Sequence, residues 1–353
     1  MHKPQSKKPL DTFNLAEEVS KGFDESDKFS ARLDRYSTAK KRCLENSNYL
    51  SKLYNQLSSE ADHGVLTEIV RTTSIRLKEC GHYLKFNHYY TVGKVRLTKA
   101  SFCKQHLICP LCAIRRGAKT LKAYTDRHRV ITAKNPSWRL SMITLTVKNG
   151  DVLEERFEHL QKSVARVFER RRDWLKKGRG LTEWRKVHGY VGTYEVTHPE
   201  TGWHPHAHIM VLHTESFDYR ALQDEWKAIT GDSHVLNVSA AHHPDEPELD
   251  FLEVFKYAVK FSDLTPLDNT TAFLALRGRR LLFSGGAFRG VDVPESLEDI
   301  LLDDLPYIEL MYRYIFGSYS LVSTEVVTDR TSCGGGTPQE ALHNSEQESE
   351  LCS

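Results

Sequence analysis

Apolar residues recur at helical spacing in the first part of this 353-residue chain. Leu44, Leu50, Leu53 and Leu57 predict one or two amphipathic helices that end near Leu77. The residues before position ~25 are polar and rich in serine and lysine, a composition that cannot bury a core, so we expect them to be disordered. This part shows no pattern typical of catalysis, and we interpret it as a helical appendage or a surface for a partner.

A different pattern, apolar and β-branched runs closed by turn residues, predicts strands after position 130. Residues 138–147 form such a run before Asn149 and Gly150. Residues 188–197 form another, and a short connection joins them to residues 203–212, which predicts a β-hairpin. Helices are predicted at residues 121–133, 152–177, 217–230, 248–261 and 271–282, a short strand at 234–238, and a last helix within 291–322.

Three histidines alternate in the second strand of this hairpin, at His204, His206 and His208. Alternate side chains of a strand project from the same face, so the three imidazoles can converge on one metal ion. The alternative is a polar strand edge with solvated histidines, but three histidines at this spacing favour a metal site. Glu195 lies on the partner strand, where it is either a further metal ligand or an ordinary cross-strand residue, and both interpretations stay open.

Cysteines predict a second metal site before the first strand. Cys109 and Cys112 have the spacing of a zinc knuckle, and Cys103 and Cys80 add two further thiolates. Four sulfur ligands close a structural zinc site and leave no open position for catalysis. The alternative interpretation is that these are buried free cysteines. Cys109 and Cys112 by themselves would not exclude it, but the two further cysteines favour zinc. Two histidines are alternates for one ligand: His82 and His106.

Charge and composition indicate what the protein binds and where in the cell it is located. The net charge of +2 is uninformative, but residues 101–190 carry about 21 lysines and arginines against about 8 acids, an excess typical of a surface that faces a polyanion. A solvated helical face is the alternative. The start of the chain lacks a secretory pattern and no apolar run reaches membrane-spanning length, so we expect a cytoplasmic protein with no membrane partner. The arginines that we expect to contact DNA are Arg115, Arg116, Arg170, Arg171 and Arg172.

The predicted helix at 248–261 carries Glu253, Lys256, Tyr257 and Lys260. Residues three or four apart share a helical face, so Glu253, Tyr257 and Lys260 can act on one group. A tyrosine hydroxyl beside a metal can attack a phosphodiester, and a carboxylate can act as a general base. Taken alone this helix is unremarkable, since such pairs occur on many surfaces.

The threonines near the end of the first predicted strand, the alternating histidines and the Glu253–Tyr257–Lys260 helix follow one another along the chain. In this order they resemble the motifs of rolling-circle replication initiators. These initiators belong to the histidine-hydrophobic-histidine nicking enzymes, and the closer match is to plasmid initiators of the small staphylococcal type. That group is similar in its cysteine cluster before the first motif and in a glutamate four residues before a single tyrosine. The resemblance covers about residues 78–290. Its motifs are Thr144-Leu145-Thr146, His204-Pro205-His206-Ala207-His208, Glu253-x3-Tyr257-x2-Lys260 and Gly278-Arg279-Arg280-Leu281.

The resemblance implies an α+β fold with a central antiparallel sheet that has helices on one side, preceded by a small zinc-binding module and N-terminal helices. It also implies that DNA, as a single strand or an extruded hairpin at a plasmid origin, is the substrate, and that a host helicase and polymerase are partners. The oligomeric state stays open. The expected segments are 1–77 (helical and partly disordered), 78–120 (zinc module), 121–290 (nicking domain), 291–322 (helical extension) and 323–353 (disordered tail).

The family also implies a reaction. Tyr257 attacks one phosphodiester, forms a 5′-phosphotyrosine and releases a 3′-hydroxyl primer, while Glu253 assists water in the terminating cleavage. His206 and His208 hold Mg²⁺ or Mn²⁺, and His204 is a third ligand or only shapes the turn. Nitrogen ligands favour Mn²⁺ over Mg²⁺. Two lysines neutralise phosphate: Lys256 and Lys260. A transposase with the same chemistry and a non-enzymatic zinc-dependent DNA-binding protein remain alternatives.

Overall fold

The computed structural model describes residues 25–59, 64–241, 246–255, 264–293 and 305–327. As predicted, the protein is α+β, with antiparallel sheets. The helices are α1 (Glu25–Ser59), α2 (Val65–Glu79), α3 (Pro110–Lys134), α4 (Leu153–Lys177), α5 (Tyr219–Thr230), α6 (Pro247–Phe255) and α7 (Pro266–Leu276). The strands are β1 (Tyr83–Tyr89), β2 (Lys94–Ala100), β3 (Arg139–Thr146), β4 (Val187–Thr197), β5 (His204–His213), β6 (Leu236–Ala240), β7 (Leu282–Gly286), β8 (Tyr307–Ile315) and β9 (Ser318–Val327).

A five-stranded antiparallel sheet in the order β6-β3-β5-β4-β7 forms the centre of the fold. The predicted hairpin of β4 and β5 is confirmed, and its register places Glu195 directly opposite His206. The turn depends on Gly202, whose φ of 97° suits glycine and whose added Cβ would lie 2.7 Å from the Gly150 carbonyl oxygen. This turn therefore fixes the register that aligns the glutamate with the histidines.

Helices cover both faces of the central sheet, not only the one side that the resemblance implies, so its middle strands are buried on both sides. Ile143, Ile209 and Val211 pack into the large core that also contains residues of α4 and α5. Met210 and Leu212 point to the opposite face and pack with residues of α3 and α6. His204, His206 and His208 share the second face because they keep the same alternation as Met210 and Leu212.

A second, four-stranded sheet has the order β2-β1-β8-β9. Leu84 and Phe86 of β1 pack against Phe29 and Leu33 of α1. The helix predicted within 291–322 is wrong for residues 307–322, which belong to the β8–β9 hairpin. The tail predicted to be disordered from 323 begins inside β9, and its residues beyond 327, like residues 1–24, lie outside the described ranges. Across the described helices, none combines the length and apolarity that a membrane crossing requires.

We expect His128 to make stability depend on pH. Burial and the charge of Arg129 lower the pKa of His128, Asp250 opposes them, and the resulting pKa is about 4. Because the folded protein holds His128 neutral, this stabilisation is complete above the unfolded pKa near 6.5 and is lost as pH falls towards 4. Between pH 7 and 5, denaturant titrations should show the native protein losing about 2 kcal/mol more than the His128→Gln variant. Equal losses in both proteins would contradict the assignment.

Candidate metal centres and DNA-binding residues

Glu195, His206 and His208 form a compact buried group on the face of the sheet that α6 covers. Glu195 Oε2 lies 3.2 Å from His206 Nε2 and 3.0 Å from His208 Nε2. One potential ligand atom from each of the three residues lies within 4.8 Å of the others, a spacing that one metal ion can bridge. The cross-strand position of Glu195 therefore provides a carboxylate as well as a partner for two imidazoles.

The electrostatics of this group favour an ionised carboxylate. Burial opposes the ionisation of Glu195, but hydrogen bonds and charge from His206 and His208 outweigh it and hold the pKa of this carboxyl well below its usual range. A carboxylate and two imidazoles are a donor set that divalent metals accept. His206 Nδ1 is buried and has no hydrogen-bond partner among the described residues. The group thus fits a divalent cation by its chemistry and its spacing.

Two polar side chains, Thr144 and Asn149, contact the Nδ1 atoms of histidines in β5. Thr144 Oγ1 lies 3.0 Å from His208 Nδ1, and Asn149 Oδ1 lies 2.5 Å from His204 Nδ1. If His208 Nε2 binds a metal, Nδ1 carries the proton and donates a hydrogen bond to Thr144 Oγ1, which fixes the orientation of the ring. Sequence reasoning included Thr144 in a motif but missed this role. His204 shares the face of His206, with ring centres 5.3 Å apart, yet lies outside the compact group.

The helix α6 ends beside this group. Thr193 stands directly opposite His208 in the β4–β5 register, and its hydroxyl donates a hydrogen bond to the Val254 carbonyl oxygen near the end of α6. Tyr257, Lys256 and Lys260 lie outside the described residues, as does the side chain of Glu253.

Four cysteines form the second cluster, as the spacing predicted. Cys80 Sγ lies 3.4 Å from Cys109 Sγ and 3.7 Å from Cys112 Sγ, and Cys103 Sγ lies 3.6 Å from Cys112 Sγ. Hydrogen bonds from the other thiols, Cys103 first, lower the pKa of Cys80, which favours the thiolate that a metal needs. The group fits a tetrahedral ion with four sulfur ligands. His82 and His106 are not members of it.

The helix α1, interpreted from sequence as an appendage, contacts this cysteine cluster directly. The buried Lys40 ammonium donates to the carbonyl oxygens of Lys78 and Cys80 at 2.7 and 2.6 Å. Asn46 donates to the Ile108 carbonyl at 3.0 Å. Cys43 Sγ lies 3.6 Å from Cys109 Sγ and 3.2 Å from the Leu77 carbonyl oxygen. Sequence reasoning missed these residues because no metal-ligand spacing connects α1 to the cysteines.

The five arginines proposed for DNA differ in exposure. Arg115 and Arg116 are exposed at the start of α3, Arg172 is exposed on α4, and Arg170 is half-buried 3.6 Å from Glu225. Arg171 is buried, and its guanidinium donates two hydrogen bonds to the Val187 carbonyl oxygen. A buried guanidinium with this partner stabilises the fold and cannot face a phosphate, so the prediction for Arg171 is wrong.

An antiparallel sheet that presents two histidines and a glutamate, together with a four-cysteine cluster, defines an α+β protein with two candidate metal centres. A sequence profile of the family described as "Replication protein" matches residues 94–309. The chain therefore belongs to this family of replication proteins. The resemblance to plasmid rolling-circle replication initiators is thereby confirmed.

The individual relatives described next are all named "Protein rep". "Protein rep" of Bacillus amyloliquefaciens is 25% identical over 325 residues, which cover 81% of this chain and 92% of the relative. "Protein rep" of Lactiplantibacillus plantarum is 27% identical over 278 residues, covering 70% and 82%. "Protein rep" of Streptococcus pneumoniae serotype 2 is 32% identical over 160 residues, covering 43% and 46%. No solved structure matches the chain.

Proposed function

We propose that this replication protein starts plasmid replication by nicking one DNA strand at the origin. The observation that carries the proposal is the convergence of Glu195, His206 and His208 on one buried point beside the end of α6. A bound Mg²⁺ or Mn²⁺ would act there as a Lewis acid on the scissile phosphate. The family of the chain supports replication rather than transposition as the outcome.

The reaction is a transesterification. The hydroxyl oxygen of Tyr257 attacks the phosphorus, the bond from phosphorus to the 3′ oxygen breaks, and the 5′ phosphate stays on the tyrosine. The proton lost by the tyrosine balances the proton gained by the released 3′-hydroxyl, which becomes the primer. Glu253 acts later as the base for the water-dependent cleavage, and Lys256 and Lys260 neutralise phosphate charge. A host helicase and a polymerase would extend the primer.

The test is a covalent adduct. Native protein incubated with single-stranded origin DNA and Mn²⁺ should give a protein–DNA band that survives denaturing electrophoresis, and Tyr257→Phe should give none. Glu253→Gln should form the adduct but resolve it about 10²-fold more slowly, because only the general base is lost. An adduct at native yield in Tyr257→Phe would overturn the nucleophile, and a Glu253→Gln variant without adduct would place Glu253 in the first step.

Origin binding should weaken steeply as salt rises. The exposed Arg115, Arg116 and Arg172 would displace counterions, and each phosphate contact contributes about 0.9 to the slope of log K against log salt. Substituting alanine for both Arg115 and Arg116 should lower the slope by about 2 in fluorescence anisotropy. Arg71→Ala is the matched control, because Arg71 is an exposed arginine already paired with Glu68. An unchanged slope in the double variant would show that this pair faces away from DNA.

The cysteine cluster is proposed to hold structural Zn²⁺. Four thiolates without an open position suit zinc better than a catalytic ion. The cluster lies directly before the exposed arginines of α3, since Cys112 and Arg115 are one helical turn apart. Zinc would thus fix the start of the helix that presents these two arginines to the DNA backbone.

A further inference from the structure

A cavity of about 590 Å³ opens at the end of the central sheet that is opposite the histidine–glutamate group. Its volume lies within the range of about 300–1,000 Å³ that is typical of small-ligand sites. The walls are mostly apolar, and several of their side chains stay half-buried, so they are partly open to solvent. The apolar wall residues that matter here are Trp138, Leu140, Phe217 and Val238.

Polar groups in this cavity are placed by contacts that fix their orientation. His213 Nδ1 donates to the Glu215 carbonyl oxygen at 2.9 Å, so His213 Nε2 accepts the hydroxyl of Ser141 at 2.8 Å. Ser141 and His213 are both more than nine-tenths buried. The Ser141 hydroxyl already donates its proton to His213. Its oxygen can therefore serve a ligand in the cavity only as a hydrogen-bond acceptor.

His128 supplies the independent observation. It lines the same cavity from α3, it is only 8% exposed, and its Nδ1 has no hydrogen-bond partner in the described part of the chain. Buried polar atoms normally have partners, so an orphan that lines a cavity points to a ligand. The exposed Arg139 adds positive charge to the lining, and its guanidinium donates to the Thr214 carbonyl at 2.6 Å.

The cavity and the metal-binding group lie along the same elements. In β5, five residues separate His208 from His213, which corresponds to about 17 Å of extended strand. His213 points to the opposite face of the sheet, and the cavity reaches the face of His208 through His128, Trp138 and Leu140. The helix α6 runs beside both sites. Asp250 lines the cavity, and Val254, about 6 Å further along the helix axis, is bonded to Thr193 beside the histidine–glutamate group. A stacked nucleic acid strand advances about 3.4 Å per nucleotide, so the distance of about 17 Å along β5 corresponds to about five nucleotides.

We propose that this cavity binds one nucleobase of the origin strand, about five nucleotides from the scissile phosphate. The flat ring of Phe217 and the indole of Trp138 provide stacking surfaces, Ser141 and His128 provide hydrogen-bonding atoms, and Arg139 attracts the adjoining phosphate. The inference rests on the proposed nicking function, which it extends by a second contact that selects where the strand lies. No chemistry occurs at this second contact.

The test uses single-stranded origin oligonucleotides in which one abasic position is moved from two to ten nucleotides on either side of the nick. Anisotropy should find one position, about five nucleotides away, where the missing base weakens binding by native protein about 10-fold. Phe217→Ala should bind the intact strand about 10-fold more weakly than native protein does. The same abasic position should then not weaken the binding of this variant any further. Phe316→Ala, which removes a fully exposed phenylalanine at the β8–β9 turn, is the control and should keep the native profile.

Several outcomes would overturn the proposal. A flat abasic profile in the native protein, or an abasic effect that persists unchanged in Phe217→Ala, would show that no base enters the cavity. If Phe217→Ala fails to fold, Phe217→Leu keeps the apolar volume without the flat ring and should also flatten the profile.

The failure of the proposed function is distinguishable from these outcomes. A short oligonucleotide with three nucleotides on each side of the nick cannot reach the cavity, so Phe217→Ala and native protein should cleave it equally. If neither cleaves any strand, the nicking function fails, while the binding profile still tests the cavity. If Phe217→Ala loses cleavage of the short strand, Phe217 acts on the metal-binding group and the base-binding proposal is wrong.

Discussion

Replacing His208 by alanine is expected to slow DNA cleavage by about 10²-fold or more while leaving the fold and DNA binding intact. His208 Nε2 and His206 Nε2 both approach the Glu195 carboxylate, so removing one imidazole leaves two donors for a cation. Metal ions stabilise charge on a phosphoryl oxygen by several kcal/mol, and each 1.36 kcal/mol corresponds to a tenfold change in rate. His206→Ala should behave in the same way.

The measurement is the single-turnover rate of nicking at saturating Mn²⁺, with Mn²⁺ affinity determined separately by calorimetry. His204→Ala is the matched control, because His204 lies on the same face and strand but outside the compact group. Its rate should fall by less than about 10-fold. If His208→Ala and His206→Ala cleave at the native rate, or if His204→Ala is as impaired as they are, the assignment of the ligands is wrong.

The approach of His206 and His208 to Glu195 could be predicted because the information that specifies it is local. Alternation places His206 and His208 on one face within three residues, and the short turn after β4 sets the pairing with Glu195. Other contacts of the site are not local. Thr144 meets His208 across 64 residues of chain, and Cys43 meets Cys109 across 66. Such contacts follow from how strands and helices assemble, which spacing in one sequence does not encode.

Two predictions from the sequence, a helix within 291–322 and a DNA contact at Arg171, are wrong for physical reasons. The sequence predicts a helix where the β8–β9 hairpin forms, because its acids and apolar residues do not by themselves reveal the strands with which they pair. One partner of β8 is local, since β8 pairs with β9 across the turn at Gly317. The other is β1, more than 200 residues earlier, where Phe86 stands opposite Leu310. The position of Arg171 between two other arginines predicts a surface residue, yet Arg171 is buried. Helical geometry separates neighbours by about 100°, so one of three consecutive arginines turns into the core.

Loss of zinc is expected to unfold the part of the protein that surrounds the cysteine cluster. Freshly purified protein should contain about one zinc per chain, and Cys109→Ser should bind none. Structural zinc contributes about 10 kcal/mol or more of apparent binding free energy, which is comparable to the whole stability of a domain. Because Lys40 and Asn46 of α1 donate to carbonyl oxygens beside Cys80 and Cys109, the loss should extend into α1 and α2.

Cys43→Ser provides the matched control for this prediction. Cys43 is as buried as Cys109 and lies 3.6 Å from its sulfur, but it is not one of the four grouped cysteines. A serine keeps a donor for the Leu77 carbonyl, so this variant should retain one zinc and lose only about 1–2 kcal/mol. Metal analysis and hydrogen exchange of α1 and α2 distinguish the two variants. Native protein that contains no zinc would show that the four cysteines do not form a zinc site. Equal zinc loss in Cys109→Ser and Cys43→Ser would also contradict the assignment, because only Cys109 is expected to be a ligand.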